Sequence, residues 1–202
     1  MKIRYILSSV ALVSLSLTSC SDLDTAPEGN IITSDKKGEI LEEMPERGLA
    51  GVRAIFQGLS AYEPNYEAFG KIERHNDIGY PSVLMFTDAN TEDVVSDPNG
   101  YNWNENSLDY SDRTYTSYES QMVWNDHYNA IYVANTVIKG YNTGEDPTNE
   151  EARFFYAQGL AARAYFYFNL AQLYQFTYKD NETKPCIPVV TDENTAKSQV
   201  EG

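Results

Sequence analysis

Between Tyr101 and Arg113 the chain gathers residue types that recognise a sugar: Tyr101, Asn102, Trp103, Asn104 and Arg113. A sugar ring has apolar C–H faces and hydroxyl edges. A site for it therefore needs an exposed aromatic ring beside amide, carboxylate or guanidinium groups. Tyr101, Trp103, Asn104 and Arg113 meet that requirement by type and are the candidate binding residues. The same rings would serve equally to pin an irregular segment onto helices, and their spacing does not choose between the two uses. Catalysis has a weaker claim. The two histidines, His75 and His127, lie in no nucleophile motif, and no glycine-rich phosphate loop is present. Asp88, Asn90 and Glu92 alternate like the start of a calcium loop. The glycine needed next is Asp93, however, and the twelfth position, where a bidentate Glu is wanted, is Asn99. These carboxylates are expected to be solvated. The chain is expected to be no enzyme and to hold no metal or cofactor.

A second chemistry sits at Cys20. Lys2 and Arg4 precede an apolar run from Tyr5 to Leu17, and Leu17-Thr18-Ser19-Cys20 then has the form of a bacterial lipobox. The run is too short to span a bilayer, which takes ~20 apolar residues. Residues 1–19 are thus expected to be a removed signal peptide, with acyl chains such as palmitate on the thiol and new amino group of Cys20. The formal charge is −15, and cleavage would remove Lys2 and Arg4 but no acid. Such a chain repels nucleic acid and anionic head groups, so the bilayer must be held through acyl chains and not a basic face. Asp22 and Asp24 directly follow Cys20, as acids do in some lipoproteins sent to the outer face of the outer membrane. Cys186 has no internal disulfide partner once Cys20 is acylated. Beside Pro185 and Pro188 it reads as a small buried residue.

These residues need a frame to hold them. Residues 20–37 are polar and rich in turn formers and read as a flexible tether, with the folded region over 38–202. Ile40, Leu41, Met44, Leu49, Val52, Ile55, Phe56 and Leu59 step by helical spacing around Pro45. Asp77 can cap a short helix through Phe86, Val94-Val95 can be briefly extended, and Asp97-Pro98-Asn99-Gly100 signals a turn. Tyr101 to Ser120 reads as a long ordered loop. Two strong helices follow. The first carries Trp124, Tyr128, Ile131, Ala134-Asn135 and Ile138, with Gly140 suited to the position past its end. The second opens on Thr148-Asn-Glu-Glu151, a capping box, and carries Ala152, Phe155, Gly159, Ala162, Phe166, Leu170 and Leu173. Gly159, Ala161, Ala162 and Ala164 allow close approach of a neighbour. Trp124, Phe155, Phe166 and Tyr167 fall on helical stripes and are expected in the core, and His127 is expected to pack or bond locally. The fold class is mainly α: a partial α-solenoid with tetratricopeptide-like helix pairs and a long irregular loop.

Five segments in order resemble the SusD/RagB family of outer-membrane nutrient-binding lipoproteins. They are Cys20 with Asp22 to Pro27; Asp77 to Tyr80 with Asp88 and Glu92 to Val95; Trp124, Tyr128, Ile131 and Ala134-Asn135; Ala162 to Leu170; and Ile187-Pro188-Val189-Val190-Thr191. The resemblance implies capture of an oligosaccharide or other nutrient for a SusC-like TonB-dependent transporter, at the outer membrane and facing outward. It also implies that Arg163, inside its motif, makes a buried structural pairing. Family members are usually several hundred residues long, so the chain corresponds to the first part of one. The later helical repeats and much of the ligand-binding insert are expected to be missing, as in a truncated product. The alternative is a helical protein-interaction lipoprotein, or an inactive fragment, that binds no glycan. The unpartnered apolar face expected on the helix over 149–175 would then favour association.

Overall fold

The computed structural model describes residues 32–60, 76–95, 100–101, 104–142 and 144–191. Helix α1 (Ser34–Glu43) begins inside the stretch read as tether. A 3-10 turn (Pro45–Gly48) follows, with proline in its first positions, and α2 (Leu49–Ser60) runs on from it. Helices α3 (Tyr80–Ala89) and α4 (Glu105–Leu108) are short. The frame is made by α5 (Tyr118–Tyr141) and α6 (Glu150–Tyr174), of 24 and 25 residues. Among the described residues no strand forms, and Val94-Val95 is coil with Val95 exposed. The mainly α class is thus the observed one.

Helices α5 and α6 are an antiparallel pair. Tyr141 stacks near Phe155, Ile138 lies against Gly159, His127 against Phe166, and Trp124 against Tyr174. Gly159 is the notch that permits this: a Cβ there would come within 3.0 Å of Ile138 Cγ1. Ala162 is buried beside it, whereas Ala161 and Ala164 are exposed and face away from α5. Leu41 from α1, Val52 and Ile55 from α2, Ile131, Ala134 and Val137 from α5, and Phe155, Phe166 and Leu170 from α6 form one core. Burying each large apolar side chain of this kind contributes roughly 1.5–3 kcal/mol. Val83, Met122 and Val123 make a second cluster that seats α3 on the first turns of α5.

Several local expectations are corrected by long-range partners. Asp77 does not cap α3. Gly79 holds the cap position with φ 83°, while Asp77 is buried and accepts a 2.6 Å hydrogen bond from the Tyr118 hydroxyl. The helix also runs past Phe86 to Ala89. Gly140 does not end α5. It lies within the helix, where its missing side chain leaves room for Leu41 of α1, and Asn142 is the C-cap. The capping box at Thr148 and Glu151 is replaced by Asn149, whose Oδ1 accepts from the amides of Glu151 (2.9 Å) and Ala152 (3.3 Å). Thr148 is taken instead by Glu42 of α1. Its amide donates to Glu42 Oε1 at 2.9 Å, its hydroxyl bonds the same oxygen, and the Asn149 amide donates to it at 2.7 Å.

Leu173 and Phe56 are exposed, because Leu170 and Ile55 take the inward positions beside them. Cys186 is exposed, not buried, since the next residue, Ile187, enters the core. From there residues 187–190 form a strap over the helix pair. Tyr128 OH donates to Pro188 O at 2.7 Å, Asn135 Nδ2 to Val190 O at 3.0 Å, and Tyr167 OH to Val190 O at 2.6 Å. Arg163 makes the expected structural pairing, its Nη1 donating to Asn135 Oδ1 at 3.0 Å. Cys20, Leu59, His75, Asn102, Trp103 and the turn over 97–99 lie outside the described residues or side chains.

Candidate functional site

An open cleft of about 900 Å³ lies between the end of α3, residues 112–115, the first turns of α5 and the last turn of α6. One wall is aromatic. Trp124 and Tyr128 are four apart on α5 and so share a face; their ring centroids are 4.7 Å apart at 36°. Tyr174 meets Trp124 edge-on at 5.1 Å and 84°. These separations are those of favourable aromatic pairs. The hydroxyls are tied down, Tyr128 to Pro188 O and Tyr174 to Ser120 O. Burial raises the pKa of both phenols above the ordinary 10.0, so they stay neutral. The wall is therefore a fixed, uncharged surface.

The opposite side is polar. Asn90, just past α3, donates from Nδ2 to Phe86 O at 3.0 Å and to Asp112 Oδ2 at 3.4 Å. Its Oδ1 accepts from Arg113 Nε at 3.3 Å. The guanidinium carbon of Arg113 stands 3.9 Å from the centre of the Tyr110 ring. Tyr110 has φ 63°, the left-handed region that side-chain-bearing residues avoid. The Asp112 carboxylate is 1% exposed, and among the described residues its Oδ1 has no hydrogen-bond partner. Its carbonyl accepts from the hydroxyls of Ser117 (2.5 Å) and Ser120 (2.9 Å), which fixes residues 112–117 to the start of α5. Gln121 and Gln172 add exposed amides, and Tyr115 stands almost fully exposed at the rim.

Rings on one side and amide and guanidinium groups on the other can bind a molecule with apolar faces and hydroxyl edges. Among the described residues lining the cleft, Asp112 is the only carboxylate. Among the described residues no group of three or more His, Cys, Asp or Glu could hold a metal ion. Asp88 and Glu92 are exposed, and Asn90 is occupied as above. His127 is fully buried between Tyr80 and Phe166, with Nδ1 3.3 Å from Asp126 Oδ2.

The candidate sugar residues are separated by the fold. Arg113 lines the cleft. Asn104 lines a different cavity, of about 70 Å³, with Asn76, Ser107 and Glu119. Tyr101 is 87% exposed and lines neither. Trp124 and Tyr128 were missed as lining residues, because a helical stripe does not reveal whether its face is covered by a helix or by an open cleft. One signal was available: Trp is rarely fully buried, and this one lies near the start of its helix.

Comparison with known families adds the decisive observation. Residues 77–201 match the model of a SusD-like family described as starch-binding and associating with the outer membrane. The chain belongs to the SusD-like family. The matched span holds α3 to α6, the strap, and every residue lining the cleft; α1 and α2 precede it. No curated protein matches the chain. Among the described residues no helix is long and apolar enough to cross a membrane.

Proposed function

We propose that this SusD-like protein is a surface lipoprotein, anchored through acylated Cys20, that captures oligosaccharide for a SusC-like TonB-dependent transporter. The observation that carries the reading is the cleft: rigid, neutral rings of Trp124, Tyr128 and Tyr174 face Asn90, Arg113 and the glutamine amides. A pyranose laid on the rings would present its hydroxyls to the polar side. Tyr101 and Trp103 serve in this reading as a second contact along the same oligosaccharide. The pair α5–α6 acts as one tetratricopeptide-like unit that holds the cleft. In this reading the cleft binds without turnover; among its described lining residues Asp112 is the one carboxylate, and it is buried.

The test is affinity electrophoresis and calorimetry of the full chain against a glycan panel beginning with starch fragments. Trp124→Ala, checked for helicity, is expected to weaken binding about two- to tenfold, since losing a stacked ring costs ~0.5–1.5 kcal/mol and 1.4 kcal/mol is tenfold. Trp103→Ala tests the second contact. Products released from any glycan would overturn the non-catalytic reading. Failure of every glycan, with a transporter co-purifying, would replace capture by the protein-interaction reading. That rival is favoured by the exposed face of α6 carrying Phe154, Tyr165 and Phe168.

A further inference from the structure

We propose that the cleft is built for an acidic glycan, whose sugar carboxylate docks on Arg113, and that Asn90 and Tyr110 hold the guanidinium ready for it. This rests on the glycan-binding reading of the same cleft. The chain has 30 acids against 15 Lys and Arg, yet among the described residues no carboxylate oxygen lies within 4.0 Å of Arg113, nor of Arg47, Arg53 or Arg153. What sets Arg113 apart is its place in the cleft lining. The side chains in direct contact with its guanidinium are neutral, although the buried Asp112 carboxylate lies one residue away. Nε donates to an amide oxygen, and the flat face of the guanidinium rests on a phenol ring.

Both neighbours are themselves arranged. The amide of Asn90 is orientated by its two Nδ2 bonds, to Phe86 O and Asp112 Oδ2, which turns Oδ1 toward Arg113. An aspartate at position 90 would neutralise the guanidinium; the asparagine positions it and leaves its charge. Tyr110 sits in a strained backbone conformation while half its surface is exposed. Tyr110 follows the C-cap of α4, and its amide donates to Ser107 O at 3.3 Å, so the left-handed turn that ends α4 also sets the ring against the guanidinium. With Nε and one face engaged, the Nη1 and Nη2 hydrogens remain, in the planar fork that matches a carboxylate bidentately. Among the described residues lining the cleft, Arg113 is the only basic one. At physiological salt the field of acids more than ~8 Å away is largely screened, so the overall negative charge does little to oppose a polyanion at the cleft.

The experiment separates charge from sugar shape. The full chain is titrated with oligogalacturonate, alginate oligomers and sialyllactose, each against its methyl ester, and with maltohexaose as the neutral reference. At least one acid form is expected to bind about tenfold or more tightly than its ester, and that preference should shrink between 50 and 500 mM salt. Arg113→Gln should abolish the preference, and Arg113→Lys should restore only part of it. Asn90→Asp and Tyr110→Gly should each reduce it, with helicity checked by circular dichroism. Acids and esters binding alike, or maltohexaose binding best, would overturn the acidic class and leave glycan capture standing. No binding by any probe would overturn both.

Discussion

Replacing Gly48 by alanine tests how closely the 3-10 turn is fitted to α5. A Cβ at position 48 would lie 1.9 Å from the Tyr141 hydroxyl oxygen and 2.6 Å from Cζ of the same ring. Neither can persist, so the ring must move by an ångström or more. Tyr141 is 6% exposed, donates to Pro45 O at 2.8 Å and packs near Phe155. Displacing it breaks that bond in a buried setting, at about 1–3 kcal/mol. Overpacking adds about 1–3 kcal/mol. The better helix propensity of alanine returns up to ~1 kcal/mol. The expected net destabilisation is about 2–4 kcal/mol, or roughly 4–16 °C in Tm for a chain of this size. Urea and thermal unfolding followed at 222 nm measure it. The same change made in a Tyr141→Leu background should cost at least ~1 kcal/mol less, because its collision partner has gone. Equal cost in both backgrounds, or no cost in the native one, would refute the reasoning.

Other perturbations follow from the same contacts. Glu42 has its pKa lowered below the ordinary 4.5, chiefly by the Thr148 hydroxyl and then the Asn149 amide. Its contribution is complete above the ordinary value and lost as pH falls through the folded one, so Glu42→Gln should flatten stability-versus-pH curves on the acid side. Burial pushes Tyr141 from 10.0 up to about 12, so stability should be full below pH 10 and fall as pH rises toward 12; Tyr141→Phe should lessen that fall in alkaline melts. Asn135→Leu removes the bonds to Val190 O and Arg163 and should cost about 2–4 kcal/mol, with hydrogen exchange at the Val190 amide rising first. Sedimentation should show concentration-dependent association that Phe154→Gln with Phe168→Gln reduces; a monomer at all concentrations in the native chain would refute the adhesive face.

Local periodicity was enough to find α5 and α6. Ile131, Ala134 and Ile138, and Phe155, Gly159, Ala162, Phe166 and Leu170, are buried as their spacing requires. Its failures share a cause. Thr148 looks like a cap until Glu42, 106 residues earlier, takes its amide. Gly140 looks like a terminator until Leu41 fills the space above it. Asp77 looks like a cap until Tyr118, 41 residues on, donates to it. Each side chain had a local use consistent with its type and a distant partner that no neighbouring residue reveals. The cleft follows the same pattern. Arg113 was visible by chemistry, but Asn90 at the end of α3 and Tyr174 at the end of α6, which line the cleft with it, come from two distant segments.

The bond between Glu42 and the start of α6 has a consequence for how the chain assembles. Asn149 caps the first turn of α6 locally, but the two amides that lead into it, Thr148 and Asn149, both donate to one carboxylate oxygen on α1. Closing that contact spans more than a hundred residues, a step that is slow relative to forming either helix alone. Helix α1 precedes the span that defines the family, yet it acts as the latch on that span's longest helix. Exchange at two amides, Thr148 and Asn149, would then report in real time whether α1 has docked against the start of α6.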